Sequence, residues 1–335
     1  MKTLSALSPL VDRFGRTVDY LRVSVTDRCD FRCVYCMSEQ MNFLPRAQIL
    51  TLEEIYCIVQ AFSELGVKKV RVTGGEPLVR QGVLSLLDRI GQLPGLHELV
   101  LTTNASKLAE LAQPLKKAGV KRINISLDSL NADKFKRITR TGELSKVLQG
   151  IAVAKKIGFK KLKLNAVILK QRNHEEVCDL VQFAVDNALD ISFIEEMPLG
   201  QVTGHDRSES YYPSYLIKQD LEQKFRLIAS THQTGGPSNY YQVVDSDTRV
   251  GFISPHSDNF CGSCNRVRLT VEGQLLLCLG NEHSVDLKKV LRTHPGNQER
   301  LKQAIIEAML LKPEKHDFNI HEQPVIFRHM NVTGG

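Results

Sequence analysis

From Tyr20 onward, short segments rich in β-branched residues alternate with longer segments of helical period. That alternation restricts the chain to parallel strands joined by crossover helices. The pattern predicts strands over 20–25, 69–73, 98–102, 122–127, 161–168 and 191–195. A first helix is expected after Thr51, a cap followed by Glu53 and Glu54, with Leu52, Ile55, Val59 and Phe62 on one face. Others are expected over 81–91, 105–118, 144–157, 174–187 and 214–225, and Gly66, Gly119 and Gly158 stand where left-handed helix caps belong. The repetition builds either an open doubly wound sheet or a βα barrel, complete or partial, and periodicity does not choose between them.

Beyond about residue 226 the rhythm changes to short strand candidates near 240–244, 250–253, 267–271 and 275–277, then a helix near 297–311. This reads as a smaller α+β extension, dividing the 335 residues into 14–226 and 227–335. The stretch 200–210, rich in Gly and polar residues, is expected to be an active-site loop or a linker.

Eight cysteines would suit a disulfide framework only in a short secreted chain. Residues 1–16 lack the order of a secretory leader, and no apolar run approaches the ~20 residues that span a bilayer. A cytoplasmic location is therefore expected, and there the thiols point to metal or redox chemistry. Cys29, Cys33 and Cys36 follow the first strand at C-x3-C-x2-C spacing. Cys261, Cys264 and Cys278 form a C-x2-C-x13-C set. Three thiolates suit an iron–sulfur cube with one open iron, whereas structural zinc prefers four ligands. The zinc alternative needs a distant fourth ligand, for which His256 or His283 could serve the second set. Cys57 and Cys178 lie in helix candidates without partners at metal spacing and read as small core residues.

The formal charge of +7 arises entirely before residue 227, since 227–335 holds 11 basic and 11 acidic side chains. A positive field favours an anionic ligand. No run of five Lys or Arg suggests a nucleic-acid arm, and neither a P-loop nor a G-x-G-x-x-G motif occurs.

Cys29, Cys33 and Cys36, with the turn Gly74-Gly75-Glu76-Pro77 after the second strand, resemble the radical S-adenosylmethionine (SAM) enzymes. Cys261-Gly-Ser-Cys264-Asn265-Arg266-Val267-Arg268-Leu269-Thr270, with Cys278 and Gly334-Gly335, resembles one family of them, the GTP 3′,8-cyclases, from about Phe14 onward. The resemblance implies an α/β fold: a partial (β/α)6 TIM-like barrel whose opening the C-terminal α+β extension covers. It implies a lyase that converts GTP to (8S)-3′,8-cyclo-7,8-dihydroguanosine 5′-triphosphate via a 5′-deoxyadenosyl radical, the first step of molybdenum cofactor biosynthesis.

The same resemblance assigns a first 4Fe–4S cluster to Cys29, Cys33 and Cys36 and a second to Cys261, Cys264 and Cys278. SAM contacts fall on Tyr35, Gly75, Ser126 and Met197. GTP contacts fall on Arg22, Arg71, Thr102, Lys163, Arg266, Val267 and Arg268. Arg266, Arg268, Gly334 and Gly335 join the first three cysteines as catalytic residues, the Gly-Gly tail reaching into the active site. Partners implied are a flavodoxin- or ferredoxin-type reductant and the next molybdenum cofactor enzyme, with a homodimer left open and neither nucleic acid nor membrane involved. Guanidinium groups suit triphosphate oxygens, and alternation by two puts Arg266 and Arg268 on one strand face.

The sequence departs from this family at Ser38, where proline is common, and at Thr139-Arg140-Thr141, which lacks a usual glycine. Ala105 replaces glycine after Thr103-Asn104, and its Cβ argues against a left-handed turn there. Two other functions compete: a different radical SAM enzyme with an auxiliary cluster, and a zinc-stabilised nucleic-acid-binding protein.

Overall fold

The computed structural model describes residues 9–200, 202, 204–316, 318 and 326–334. Six strands follow the expected alternation: β1 (Tyr20–Ser24), β2 (Lys69–Thr73), β3 (Glu98–Thr103), β4 (Val120–Ser126), β5 (Leu162–Val167) and β6 (Asp190–Ile194). They lie side by side in chain order and parallel. Between them run α1 (Leu52–Glu64), α2 (Val83–Gly91), α3 (Leu108–Lys117), α4 (Ala132–Thr139), α5 (Leu144–Ile157) and α6 (Val177–Asp186).

The C-terminal region adds β7 (Leu227–Ala229), β8 (Asn239–Val243), β9 (Arg249–Ile253), β10 (Arg266–Leu269), β11 (Gln274–Leu276) and β12 (Ser284–Asp286). β10 pairs parallel with β1 and β9 parallel with β6, and the antiparallel pairs β11–β12 and β8–β7 lie outside them. The sheet runs from β12 to β7 with two open edges, so the barrel is partial. Both edges of the six-strand core are thus covered by chain from the other end of the sequence, which brings the Cys261–Cys278 segment beside β1.

Local chemistry explains most boundaries. Thr51 caps α1 through a reciprocal pair: Glu54 N donates to Thr51 Oγ1 at 3.1 Å, and Thr51 N donates to Glu54 Oε2 at 2.8 Å. Ile55, Ile58, Val59 and Phe62 then bury one face, each contributing roughly 1.5–3 kcal/mol of transfer free energy. Gly66, Gly119 and Gly158 take φ of +92°, +83° and +87°, as their positions after helices require.

Helix α4 was not anticipated. Half of its residues are charged and only Phe135, Ile138 and Thr139 are buried, too few to show a period, while Asn131 accepts from Asp133 N and Lys134 N as its cap. The three-residue strands β7 and β12 and the short helices Arg207–Ser210, Leu287–Thr293 and Met330–Thr333 likewise lack a readable repeat. Helix α3 begins at Leu108 rather than 105 because Ala105 lies at φ +62°. Among the described residues no helix is long and apolar enough to cross a membrane.

Candidate active site

The six clustered thiols come from two distant stretches of sequence and line one cavity. Cys29, Cys33 and Cys36 sit on the loop after β1, and three turns grip that loop. From the α4–α5 junction, Ile138 O and Thr139 O accept from Val34 N and Arg32 N at 2.9 Å each, and Thr141 Oγ1 donates to Asp30 O at 2.7 Å. Arg140 Nη1 adds bonds to Arg32 O at 3.1 Å and Met37 O at 3.3 Å. From the turn after β3, Asn104 Nδ2 and Ser106 Oγ donate to the Asp30 carboxylate at 2.7 and 2.6 Å.

The third grip is the Gly74-Gly75-Glu76-Pro77 turn. Gly75 N donates to Thr26 O at 2.7 Å and Glu76 N to Arg28 O at 2.9 Å. A Cβ on Gly74 would lie 2.6 Å from Thr26 O, and one on Gly75 2.5 Å from Arg28 O. The glycines therefore admit the backbone of the thiol loop itself, and Gly75 also faces the cavity. Glu76 accepts from Thr103 Oγ1, Asn104 N and Leu78 N at 2.8, 2.7 and 3.0 Å, yet burial still raises its carboxyl to about 7.

This network corrects one expectation. Ala105 keeps the left-handed turn despite its Cβ, because Thr103 Oγ1 accepts from Ala105 N at 3.0 Å and Asn104 Oδ1 accepts from Ser106 N at 2.9 Å. These bonds offset a strain of roughly 1–2 kcal/mol. Arg140, in the other segment lacking a glycine, is also at positive φ, +61°.

Burial raises the first thiols: Cys36 is pushed up to about 12, and Cys33 lies well above its ordinary value through burial, Asp128 and its two companion thiols. The second set differs. Burial alone would raise Cys264, but Arg266 and Lys312 outweigh it and bring the thiol down to about 7. Cys278 rises through burial, with Cys264 and Cys261 near enough to add to it.

Among the described residues no three His, Cys, Asp or Glu side chains converge closely enough to hold a single ion. Of the two histidines named as a fourth zinc ligand for the second triplet, His256 Nε2 meets Glu196 O at 3.0 Å and His283 is exposed. Two thiol triplets that are mutually adjacent yet spread fit the donor set of a cube, whose cysteines ligate separate irons. Cys57 and Cys178 are half-buried, and neither lines the cavity.

Between the triplets lies a basic floor built by strand register. Arg268, Arg22 and Arg71 are cross-strand partners on β10, β1 and β2, and two residues back Arg266, Tyr20 and Lys69 form a second rung. Arg71 Nη1 donates to Thr102 Oγ1 at 2.8 Å, and Lys163 Nζ to Tyr240 Oη at 2.8 Å. Burial and repulsion from neighbouring arginines depress two of these cations: Arg22 lies well below its ordinary value, with Arg268 the leading charge, and Arg268 falls to about 10. Tyr20, bonded to Arg71 Nε, is lowered to about 7, the attraction of Arg71, Arg22 and Lys69 overcoming its burial. Such a set favours a polyanion.

Arg22, Arg71, Thr102, Lys163, Arg266, Val267 and Arg268 all line the cavity, as do Tyr35, Gly75, Ser126 and Met197. Tyr35 Oη donates to Asp128 Oδ2 at 2.7 Å, and Asp128 is raised to about 6 by burial. Gly334 meets the floor through its carbonyl oxygen, which accepts from Arg268 Nη1; Gly335 lies outside the described residues. Tyr20, Lys69 and Asp128 line the same cavity and were missed. Tyr20 and Lys69 precede Arg22 and Arg71 by two, so the alternation applied to Arg266 and Arg268 would have found them.

The Radical SAM superfamily model matches residues 23–184, and the Molybdenum Cofactor Synthesis C model matches residues 189–318. A GTP 3′,8-cyclase of Pseudomonas fluorescens (strain Pf0-1) is 59% identical over 327 residues, covering 97% of this chain and 98% of that protein. One from Pseudomonas entomophila (strain L48) is 60% identical over the same length, with 97% and 98% covered. The crystal structure of Streptococcus suis SuiB bound to S-adenosylmethionine shares the fold at TM-score 0.59 and 17% identity, covering 96% of this chain and 79% of that one.

Proposed function

The chain belongs to the GTP 3′,8-cyclases, radical SAM enzymes of molybdenum cofactor biosynthesis, and from that premise we propose how its cavity divides the work. Cys29, Cys33 and Cys36 hold a first 4Fe–4S cluster, with Tyr35, Gly75, Ser126 and Met197 around SAM. Cys261, Cys264 and Cys278 hold a second cluster at the opposite wall. When bound and reduced, the first cluster with SAM supplies one-electron cleavage to a primary carbon radical able to abstract hydrogen.

The chain's own part is to place GTP between the two walls. Arg22, Arg71, Arg266 and Arg268, with Lys163, Thr102 and the Val267 backbone, take the nucleotide, and Lys69 widens the basic floor, within which Tyr20 accepts from Arg71. Guanidinium pairs favour the triphosphate oxygens and leave the ribose directed at the SAM side. Gly334 lies against this floor, and Gly335 shares its assignment to catalysis. The buried lining excludes water that would quench a carbon radical. A flavodoxin or ferredoxin reductant, hand-over of the cyclised nucleotide to the next enzyme, and a cytoplasmic location belong to the same reading.

The observation that carries it is the common cavity of the two thiol triplets with the cationic floor between them. Reconstituted, reduced protein incubated anaerobically with SAM and GTP should yield 5′-deoxyadenosine together with a cyclised nucleotide. Deoxyadenosine formed equally without GTP would sink the proposed placement of the nucleotide.

A further inference from the structure

Lys312 is 1% exposed, among the largest fully buried side chains of the protein. Its Nζ donates to Leu277 O at 2.7 Å and Arg266 O at 3.2 Å, and lies 3.6 Å from Cys264 Sγ. These partners are two carbonyls and a thiol, none of them a carboxylate. Burying an ammonium is expensive unless an opposite charge accompanies it, and carbonyl dipoles supply only part of the compensation.

The position is enforced rather than incidental. Arg16 donates to Pro313 O at 2.6 Å, Glu314 O at 2.7 Å and Cys261 O at 2.9 Å, and its Nε pairs with Asp12 Oδ2 at 2.6 Å. The residues after Lys312 are thus bolted to the first cysteine of the second triplet. Through Leu277 O, Lys312 also holds the residue before Cys278. Unlike Arg266, it does not line the cavity, so its charge is turned away from substrate and toward the thiols.

We propose that Lys312 is a positioning residue for the second cluster: the built-in countercharge of its thiolate set, which holds the ligands in place and makes the cluster easier to reduce. The proposal rests on reading Cys261, Cys264 and Cys278 as cluster ligands. A cube held by three thiolates is anionic and becomes more so on reduction, so a fixed buried cation stabilises the reduced state more. A purely structural lysine would act equally with or without the cluster.

The test uses full-length protein reconstituted anaerobically, comparing wild type with Lys312→Met and Lys312→Arg. Iron and sulfide are counted, and both clusters are followed by EPR during a reductive titration, the first cluster serving as internal reference. Lys312→Met should make the second cluster at least tenfold harder to reduce, about 59 mV more negative for one electron. Lys312→Arg should stay near wild type, and the first cluster should not move. Failure of Lys312→Met alone to load the second cluster, with the first intact, also supports the role. An unchanged potential in a fully loaded Lys312→Met protein overturns it, as does loss of the second cluster in Lys312→Met and Lys312→Arg alike. A wild-type protein holding one cluster overturns both this role and the ligand reading beneath it.

Discussion

Arg268 Nη1 donates to the carbonyl oxygen of Gly334 at 2.6 Å, joining the strand beside the second thiol triplet to the C-terminal segment. The same segment touches the first triplet's loop, where Asn331 Nδ2 donates to Asp27 O at 2.8 Å. It also touches the loop after β6, where Gly200 N donates to Ile326 O at 2.9 Å. One short stretch therefore joins β10, the loop after β1 and the loop after β6.

Gly334 has φ +78°, and a Cβ there would lie 2.3 Å from Thr73 Cγ2 at the end of β2. Gly334→Ala should displace the tail and lower the rate of cyclised nucleotide formation by about 100-fold, the scale of a 1 Å misplacement. Iron content should stay at wild type. Wild-type turnover in this variant would refute a tail that must lie against Thr73.

Asn331 is 1% exposed and its bond to Asp27 O is fully buried. Asn331→Ala leaves that carbonyl unpaired, at a cost of about 1–3 kcal/mol. Hydrogen exchange should report faster exchange over 326–334 than in wild type, with β1 to β6 unaltered. Equal protection of the segment in both proteins would show that Asn331 does not tether it.

Tyr20 is lowered to about 7 from its ordinary value near 10, with Arg71, Arg22 and Lys69 attracting the phenolate against the effect of burial. A depressed folded pKa contributes stability that is present above the unfolded value and lost as pH falls through the folded one. Wild type should therefore gain stability relative to Tyr20→Phe as pH rises from 7 to 10. The chain has no Trp, so tyrosinate absorbance of the cluster-free protein can follow the group directly. A step near 7 should appear in wild type, vanish in Tyr20→Phe, and move upward when GTP occupies the floor. A first tyrosinate step near 10 would contradict the arrangement.

Arg140→Gly removes positive-φ strain of roughly 1–3 kcal/mol and two bonds, to Arg32 O and Met37 O. The two effects nearly offset in overall stability. Chelator should nonetheless strip iron from the first cluster several-fold faster, while the second cluster is unaffected. Identical stripping rates would show that the Arg140 side chain does not brace the thiol loop.

The strand and helix alternation could be read without a structure because it depends only on local periodicity: Ile55, Val59 and Phe62 recur at helical spacing, and β2 spans 69–73 as expected. The thiol triplets were equally legible, since ligand spacing within each is a property of a few adjacent residues. Short elements were not, because α4 buries only three side chains and β7 and β12 span three residues each.

What no local pattern contains is which distant segments pair. Cross-strand register set Tyr20 opposite Lys69 and Arg22 opposite both Arg71 and Arg268, and so made scattered cations into one floor. Ala105 and Arg140 adopt positive φ where hydrogen bonds, within the turn for Ala105 and to the thiol loop for Arg140, outweigh their own preference. No local pattern marks Lys312, which packing buries against Cys264. Linear order specifies which chemical groups are present and which run close together. Burial and strand pairing, which act between residues hundreds of positions apart, decide which of those groups meet and at what electrostatic cost.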